Sequence, residues 1–260
     1  MTLALPAIYA LLLWFVSTGA IIWLDARPRA TFRWSLAAGA LVAAAAVWGI
    51  ARSAGDASTL GAYCAFTCAL GVWGWLEMSF LMGFITGPRR APCPPTATGW
   101  HRFKLAAATL IYHEITLAVA LAGIVAITWE QPNRIAALTF ALLFAMRLST
   151  KFNIFAGVPN LTEDFLPAHL AYLKSYFRKR PAQPVFLLSL GLAIVVTTWL
   201  SLRTFDPSAS PAEATGFALL FTLAALGILE HAFLVLPLPD AALWRWAIST
   251  KPAISPARSK

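Results

Sequence analysis

The stretch LGAYCAFTCALGVWGWLEMSFLMGFI, from Leu60 to Ile85, decides the fold, and the TGPRR that follows it to Arg90 tells which way it runs. The run exceeds the ~20 apolar residues that carry an α-helix across a bilayer. It holds one charged residue, Glu77, and stops just short of paired arginines. A carboxyl group is costly in hydrocarbon, so Glu77 marks either a functional site or a polar contact between helices.

The same pattern recurs on both sides. Seven apolar segments of spanning length run about Leu3–Leu24, Ser35–Ile50, Leu60–Ile85, Leu105–Trp129, Ile135–Ala156, Val185–Phe205 and Thr215–Leu236. The second is slightly short, and the fifth contains Arg147 and Lys151. Met1 to Leu24 has no basic n-region and no small-residue cleavage site, so it reads as the first span rather than a signal peptide. The expected fold is all-α: a polytopic membrane helical bundle of about seven transmembrane helices. One transmembrane domain covers residues 1–236, and a short C-terminal tail covers 237–260. Composition agrees, with 59% hydrophobic and 12% charged residues against ~25% charged in soluble domains.

Loop charge sets the orientation. Arg27, Arg29 and Arg33 follow the first span, Arg89, Arg90, Arg102 and Lys104 the third, and Lys174, Arg178, Lys179 and Arg180 the fifth. Arg245, Lys251, Arg258 and Lys260 lie in the tail. The alternate connections hold Arg52, Arg134 and Arg203. By the positive-inside rule the N-terminus is periplasmic and the C-terminus cytoplasmic. The net charge of +9 is spread over loops between apolar runs. Anionic lipid at the cytoplasmic face is therefore the expected partner, not nucleic acid.

The longest polar stretch, near 164–180, reads as a cytoplasmic amphipathic helix. Leu166, Leu170, Leu173 and Phe177 repeat at helical spacing on one side, with His169 among them. Lys174 and the run Arg178, Lys179, Arg180 cluster near its end, where they suit the helix dipole and anionic headgroups. These residues dock a partner or lipid, or the segment is a connector resting on the membrane. Gly83 and Gly87 form a GxxxG pair at the end of the third span, with Gly71 and Gly74 a few turns earlier, a helix-packing feature. Cys64, Cys68 and Cys93 have no metal spacing and read as packing cysteines. There is no internal repeat, and an odd span count argues against a transporter of two inverted halves.

The chemistry lies in a buried polar layer: Glu77 in the third span, His113 and Glu114 in the fourth, Glu230 and His231 in the seventh. From the span ends, all lie roughly 8–14 Å from the cytoplasmic boundary at 1.5 Å rise per residue. Arg147 falls at a similar depth, as the partner of a structural ion pair with a layer glutamate. Four roles remain open. His and Glu can ligate a transition metal, although adjacent residues such as His113 and Glu114 diverge by ~100° on a helix. They can handle protons. A histidine can ligate a chlorin magnesium, since His113 follows Thr109 and His231 follows Gly227 by one turn, leaving room for a flat ring. Or the groups pair with one another and fix helix packing.

Two stretches carry a family resemblance. WGWLEMSFLMGFITGPRR (Trp73–Arg90) and STKFNIFAGVPNLTEDFLPAHLAYLKSYF (Ser149–Phe177), together with the His-Glu of the fourth span and the Glu-His of the seventh, resemble the PuhE family of photosynthetic complex assembly proteins of purple phototrophic bacteria. The resemblance runs nearly the whole chain. It implies an inner-membrane factor acting with reaction centre and light-harvesting 1 subunits or with pigment-synthesis enzymes, and the leading expectation is a non-enzymatic role. It also implies an influence on bacteriochlorophyll supply or delivery. The expected ligand is bacteriochlorophyll or a precursor, with a metal ion the less favoured occupant. His113 or His231 would touch it, and Glu77, Glu114 and Glu230 would supply hydrogen bonds. The rivals are an intramembrane metal-dependent or acid–base enzyme of pigment or isoprenoid metabolism, and a pigment-precursor transporter.

Overall fold

A computed structural model describes residues 4–161, 166–236 and 247. The chain forms α1 (Ala4–Asp25), α2 (Phe32–Ser53), α3 (Thr59–Leu81), α4 (Gly99–Ala107), α5 (Ile111–Thr128), α6 (Ile135–Ala156), α7 (Pro184–Thr204) and α8 (Pro211–Phe233). It is an all-α bundle, as the apolar runs require. The helix starts follow local rules. The Ser58 hydroxyl accepts from the Gly61 amide at the head of α3. At α8, Ser210 and Glu213 close a capping box with Pro211 in the first turn, which satisfies amides a helix cannot pair for itself.

α3 lies at the centre and packs against α1, α2, α5, α6 and α8. Phe66, Ala69, Leu117, Phe140, Leu219 and Ala224 form the innermost core. The outer helices turn apolar side chains outward, among them Leu12, Val16, Leu41, Val119, Leu187 and Val195. Exposed Trp23, Trp34 and Trp100 ring the end that carries the basic loops, and Trp48, Trp129 and Trp199 ring the other. Tryptophan prefers the two membrane interfaces, so this is the surface of a bilayer-spanning protein.

Among the described residues, six helices are long and apolar enough to cross a membrane singly, and α4 with α5 forms a pair bent by 64°. The pair crosses the bundle. At its start Arg102 donates to the Tyr176 carbonyl at the basic end. Just past its finish, Asn133 donates to the Ser53 and Asp56 carbonyls at the opposite end, at 3.0 and 3.2 Å. α5 alone has 18 residues, about 27 Å of helix.

Several expectations need correction at the basic end. The third span stops being helical at Leu81, not Ile85. Gly83 and Gly87 are therefore not a helix-packing pair. Gly83 has φ +80°, which the turn needs, and Gly87 lies so close to the Ala108–Leu110 backbone that a Cβ would collide with it. Gly71 and Gly74 do face α2 and α1 closely, through Ala46 and Ile21. The expected continuous fourth helix is broken at Ala108–Leu110. The segment after α3 inserts there: the Arg89 amide donates to the Ala108 carbonyl and the His113 amide to the Thr86 carbonyl, both at 3.0 Å. Backbone groups freed by the break thus find partners, the condition for broken helices within a bilayer.

The amphipathic helix near 164–180 is instead a 3-10 helix over Ala168–Tyr176. Its apolar side turns inward. Leu170 and Leu173 are buried against Phe80, with Leu166 and Phe177 packed beside them. These four leucine and phenylalanine side chains are used inside the molecule rather than presented for docking. His169 Nε2 donates to the Leu81 carbonyl at 2.7 Å. The Arg178, Lys179 and Arg180 backbone pairs with the end of α6, through Ile154 and an isolated parallel bridge from Val158 to Lys179; Lys179 and Arg180 stay exposed. The tail at 237–260 lies outside the described residues except for Ala247.

Candidate functional site

The polar layer divides into two groups. In the first, Glu77 sits one turn before the end of α3 and bridges two helices. Its Oε1 lies 3.4 Å from His113 Nε2 on α5, and its Oε2 lies 3.4 Å from an Arg147 nitrogen on α6. Both separations are long against the ~2.7–2.9 Å of a tight charge-assisted bond. One turn along α6, Lys151 pairs with Glu114 of α5. Phe80 separates the two pairs, stacked on the His113 ring at 4.7 Å and lying 5.7 Å from the Lys151 ammonium.

Arg147 and Lys151 therefore meet carboxylates from two different helices, α3 and α5. Arg147 is the expected ion-pair partner, and Glu77 is the glutamate it takes. Lys151 was not expected in the layer. Its signal in the sequence was the four-residue spacing from Arg147, which puts both on one face of α6.

Glu77, Arg147 and Glu230 line one cavity of about 170 Å³ between α1, α3, α6 and α8, with Thr18 and Trp73 on its walls. Glu230 thus joins the first group through the cavity, where it faces the Arg147 charge. The Arg147 side chain is 41% accessible there, and its Nε is buried without a hydrogen-bond partner.

His231 belongs to the second group. Its Nδ1 lies 2.8 Å from the Gly227 carbonyl and its Nε2 2.8 Å from the Ser149 hydroxyl. A carbonyl only accepts, so Nδ1 carries the hydrogen and Nε2 of the neutral ring accepts from Ser149. Asn153 extends the chain, donating to Ser189 of α7 at 2.8 Å. Ser149, Asn153 and Ser189 were missed because single hydroxyls and amides are common in membrane helices and carry no spacing signal.

Neither histidine stands beside open space for a chlorin ring in this arrangement. His231 is 1% exposed with both nitrogens engaged, and the space beside Gly227 is filled by the Met146 side chain. His113 is fully buried, with Phe80 stacked on its ring and Glu77 3.4 Å from Nε2, and neither of its ring nitrogens completes a hydrogen bond among the described residues. Among the described residues, no three of His, Cys, Asp and Glu come together in a metal-binding group.

Residues 1–255 match a protein family described as "Protein of unknown function (DUF3623)". A relative from Rhodobacter capsulatus is 40% identical over 248 residues, covering 94% of this chain and 90% of its own. It is described as "Uncharacterized 30.4 kDa protein in puhA 5'region". No solved structure matches.

Proposed function

We propose that the chain, which belongs to the DUF3623 family, is an assembly or regulatory factor for the photosynthetic reaction centre and light-harvesting 1 complex. It works in the bacterial inner membrane, with its N-terminus periplasmic and its basic end in the cytoplasm. One observation carries this reading: a relative matching it over nearly its full length lies in the puhA 5' region of Rhodobacter capsulatus. The PuhE resemblance of Trp73–Arg90 and Ser149–Phe177 points the same way.

The geometry supports a holding role for the polar layer. Glu77, His113, Arg147, Glu114 and Lys151 tie α3, α5 and α6 together where two helices end or break. A partner subunit meets that end of the bundle, and bacteriochlorophyll supply is influenced through this partner rather than by pigment held on His113 or His231.

The test is deletion of the gene in its phototrophic host, with near-infrared absorption of the reaction centre–light-harvesting 1 complex measured per cell. Loss of complex, restored by the wild-type gene, is expected. Unchanged complex and unchanged bacteriochlorophyll would refute the proposal.

A further inference from the structure

The basic end carries a second concavity, apart from the polar layer. It has a volume of about 530 Å³, within the ~300–1,000 Å³ typical of small-molecule sites. Arg29 and Arg33, flanking the start of α2, and Arg90, after α3, all line it, and among the described residues no Asp or Glu does. Three guanidiniums from two separate segments therefore face one space. Their field is felt by His169 on the same wall. Burial first, then Arg29 and Arg90, hold its imidazole below the usual histidine range, while the bond to Leu81 opposes them.

A second observation points to a ligand. Thr86 lines the concavity and is 1% exposed. Its hydroxyl and the buried Tyr172 hydroxyl on the same wall interact with each other and have no other hydrogen-bond partner among the described residues. A hydroxyl pair uses only one of its two O–H donors internally, so one is left to meet an acceptor in the concavity. Phe32, Met82 and Phe84 form the apolar part of the lining, and exposed Trp34 marks the interface level.

We propose that this concavity binds the phosphate or diphosphate group of an amphiphile lying at the membrane interface. Arg29, Arg33 and Arg90 supply charge-assisted bonds to its oxygens. The Thr86–Tyr172 pair donates from the floor, and Phe32 with Phe84 meets the apolar portion. A lipid headgroup and a soluble phosphate ester share this chemistry. The site stands independently of the assembly role.

The experiment uses the full chain in nanodiscs of phosphatidylcholine, with and without pyrophosphate, and in nanodiscs containing phosphatidylglycerol, read by thermal melting. If the occupant is soluble, pyrophosphate raises the melting temperature in both lipids. If it is a lipid headgroup, phosphatidylglycerol alone does so and pyrophosphate adds nothing. In either case the double variant Arg33→Gln, Arg90→Gln weakens the response at least tenfold in ligand concentration. The charge-matched pair Arg27→Gln, Lys179→Gln leaves it unchanged. Thr86→Val gives a second readout: it weakens the ligand response, because one hydroxyl of the Thr86–Tyr172 pair is removed. The proposal is overturned if neither phosphate source shifts melting, or if the shift survives equally in both double variants.

Discussion

At the scale of single residues, the polar layer behaves as a set of paired charges whose members cannot be removed singly. Arg147→Ala strands the Glu77 carboxylate between α3 and α6 and is expected to cost about 3–5 kcal/mol, seen as a lower yield of folded protein and a lower melting temperature. Unchanged yield and melting would mean that Glu77 is held by His113 alone. Glu114 and Lys151 allow a sharper test. Glu114→Gln or Lys151→Met should each destabilise, whereas the double variant should melt closer to wild type than either single variant. Replacing a buried pair whole removes both desolvation penalties, while removing one partner leaves an uncompensated charge. At His231, Ser149→Ala should cost roughly 1–3 kcal/mol, because it removes the hydroxyl that meets both His231 and Asn153 and leaves the buried His231 Nε2 unpaired. A larger loss would show that the Ser149–Asn153–Ser189 chain acts cooperatively. The residue types of the layer were visible as charges inside apolar runs. Arg147 was legible as the partner of a layer glutamate, but which glutamate it takes, and Lys151 as the partner of Glu114, were not, because pairing depends on which helices are neighbours.

At the scale of elements, the decisive feature is the break between α4 and α5. The stretch from Leu105 to Ile111 contains neither Pro nor Gly, the usual causes of a sharp kink, and reads as continuous helix. The break exists because the segment after α3 supplies partners for the freed backbone groups, through Thr86 and Arg89. Gly87 permits that approach. Gly87→Ala should therefore lower the melting temperature markedly, since its Cβ would meet backbone at Ala108–Leu110. Gly123→Ala, with nothing near its Cβ, should be neutral or slightly stabilising through helix propensity. Equal effects of the two substitutions would argue that the insertion contributes little. The segment 164–180 shows the same limit. Leu166, Leu170, Leu173 and Phe177 have an apolar periodicity that fits a lipid-facing helix. The bundle offers Phe80 as a surface instead, and burial against protein takes the place of burial in the interface.

At the scale of the whole molecule, the prediction concerns the number of crossings. In a cysteine-free background, Ala57→Cys and Gln131→Cys should react with an impermeant thiol reagent from the same side, and Ala182→Cys from the other. If Gln131→Cys instead reacted from the side opposite Ala57→Cys, and Ala182→Cys from the same side as Ala57→Cys, the α4–α5 pair would be re-entrant and the bundle would cross six times. The sequence by itself determined the class of the protein. Runs of apolar residues near 20 long leave no alternative to helices spanning a bilayer, because hydrocarbon offers no partner for an unpaired peptide group. It also determined which residues are chemically out of place there, since a charge among such runs is conspicuous without any structure. Only the tertiary structure decided what became of them. Glu77 reaches His113 and Arg147, Glu114 reaches Lys151, and His231 turns to Ser149 in a separate group. Coulombic attraction and hydrogen bonding act over a few ångströms across helix interfaces. Which side chains come within that range is set by helix order and by one inserted loop, neither of which leaves a periodic trace in the chain.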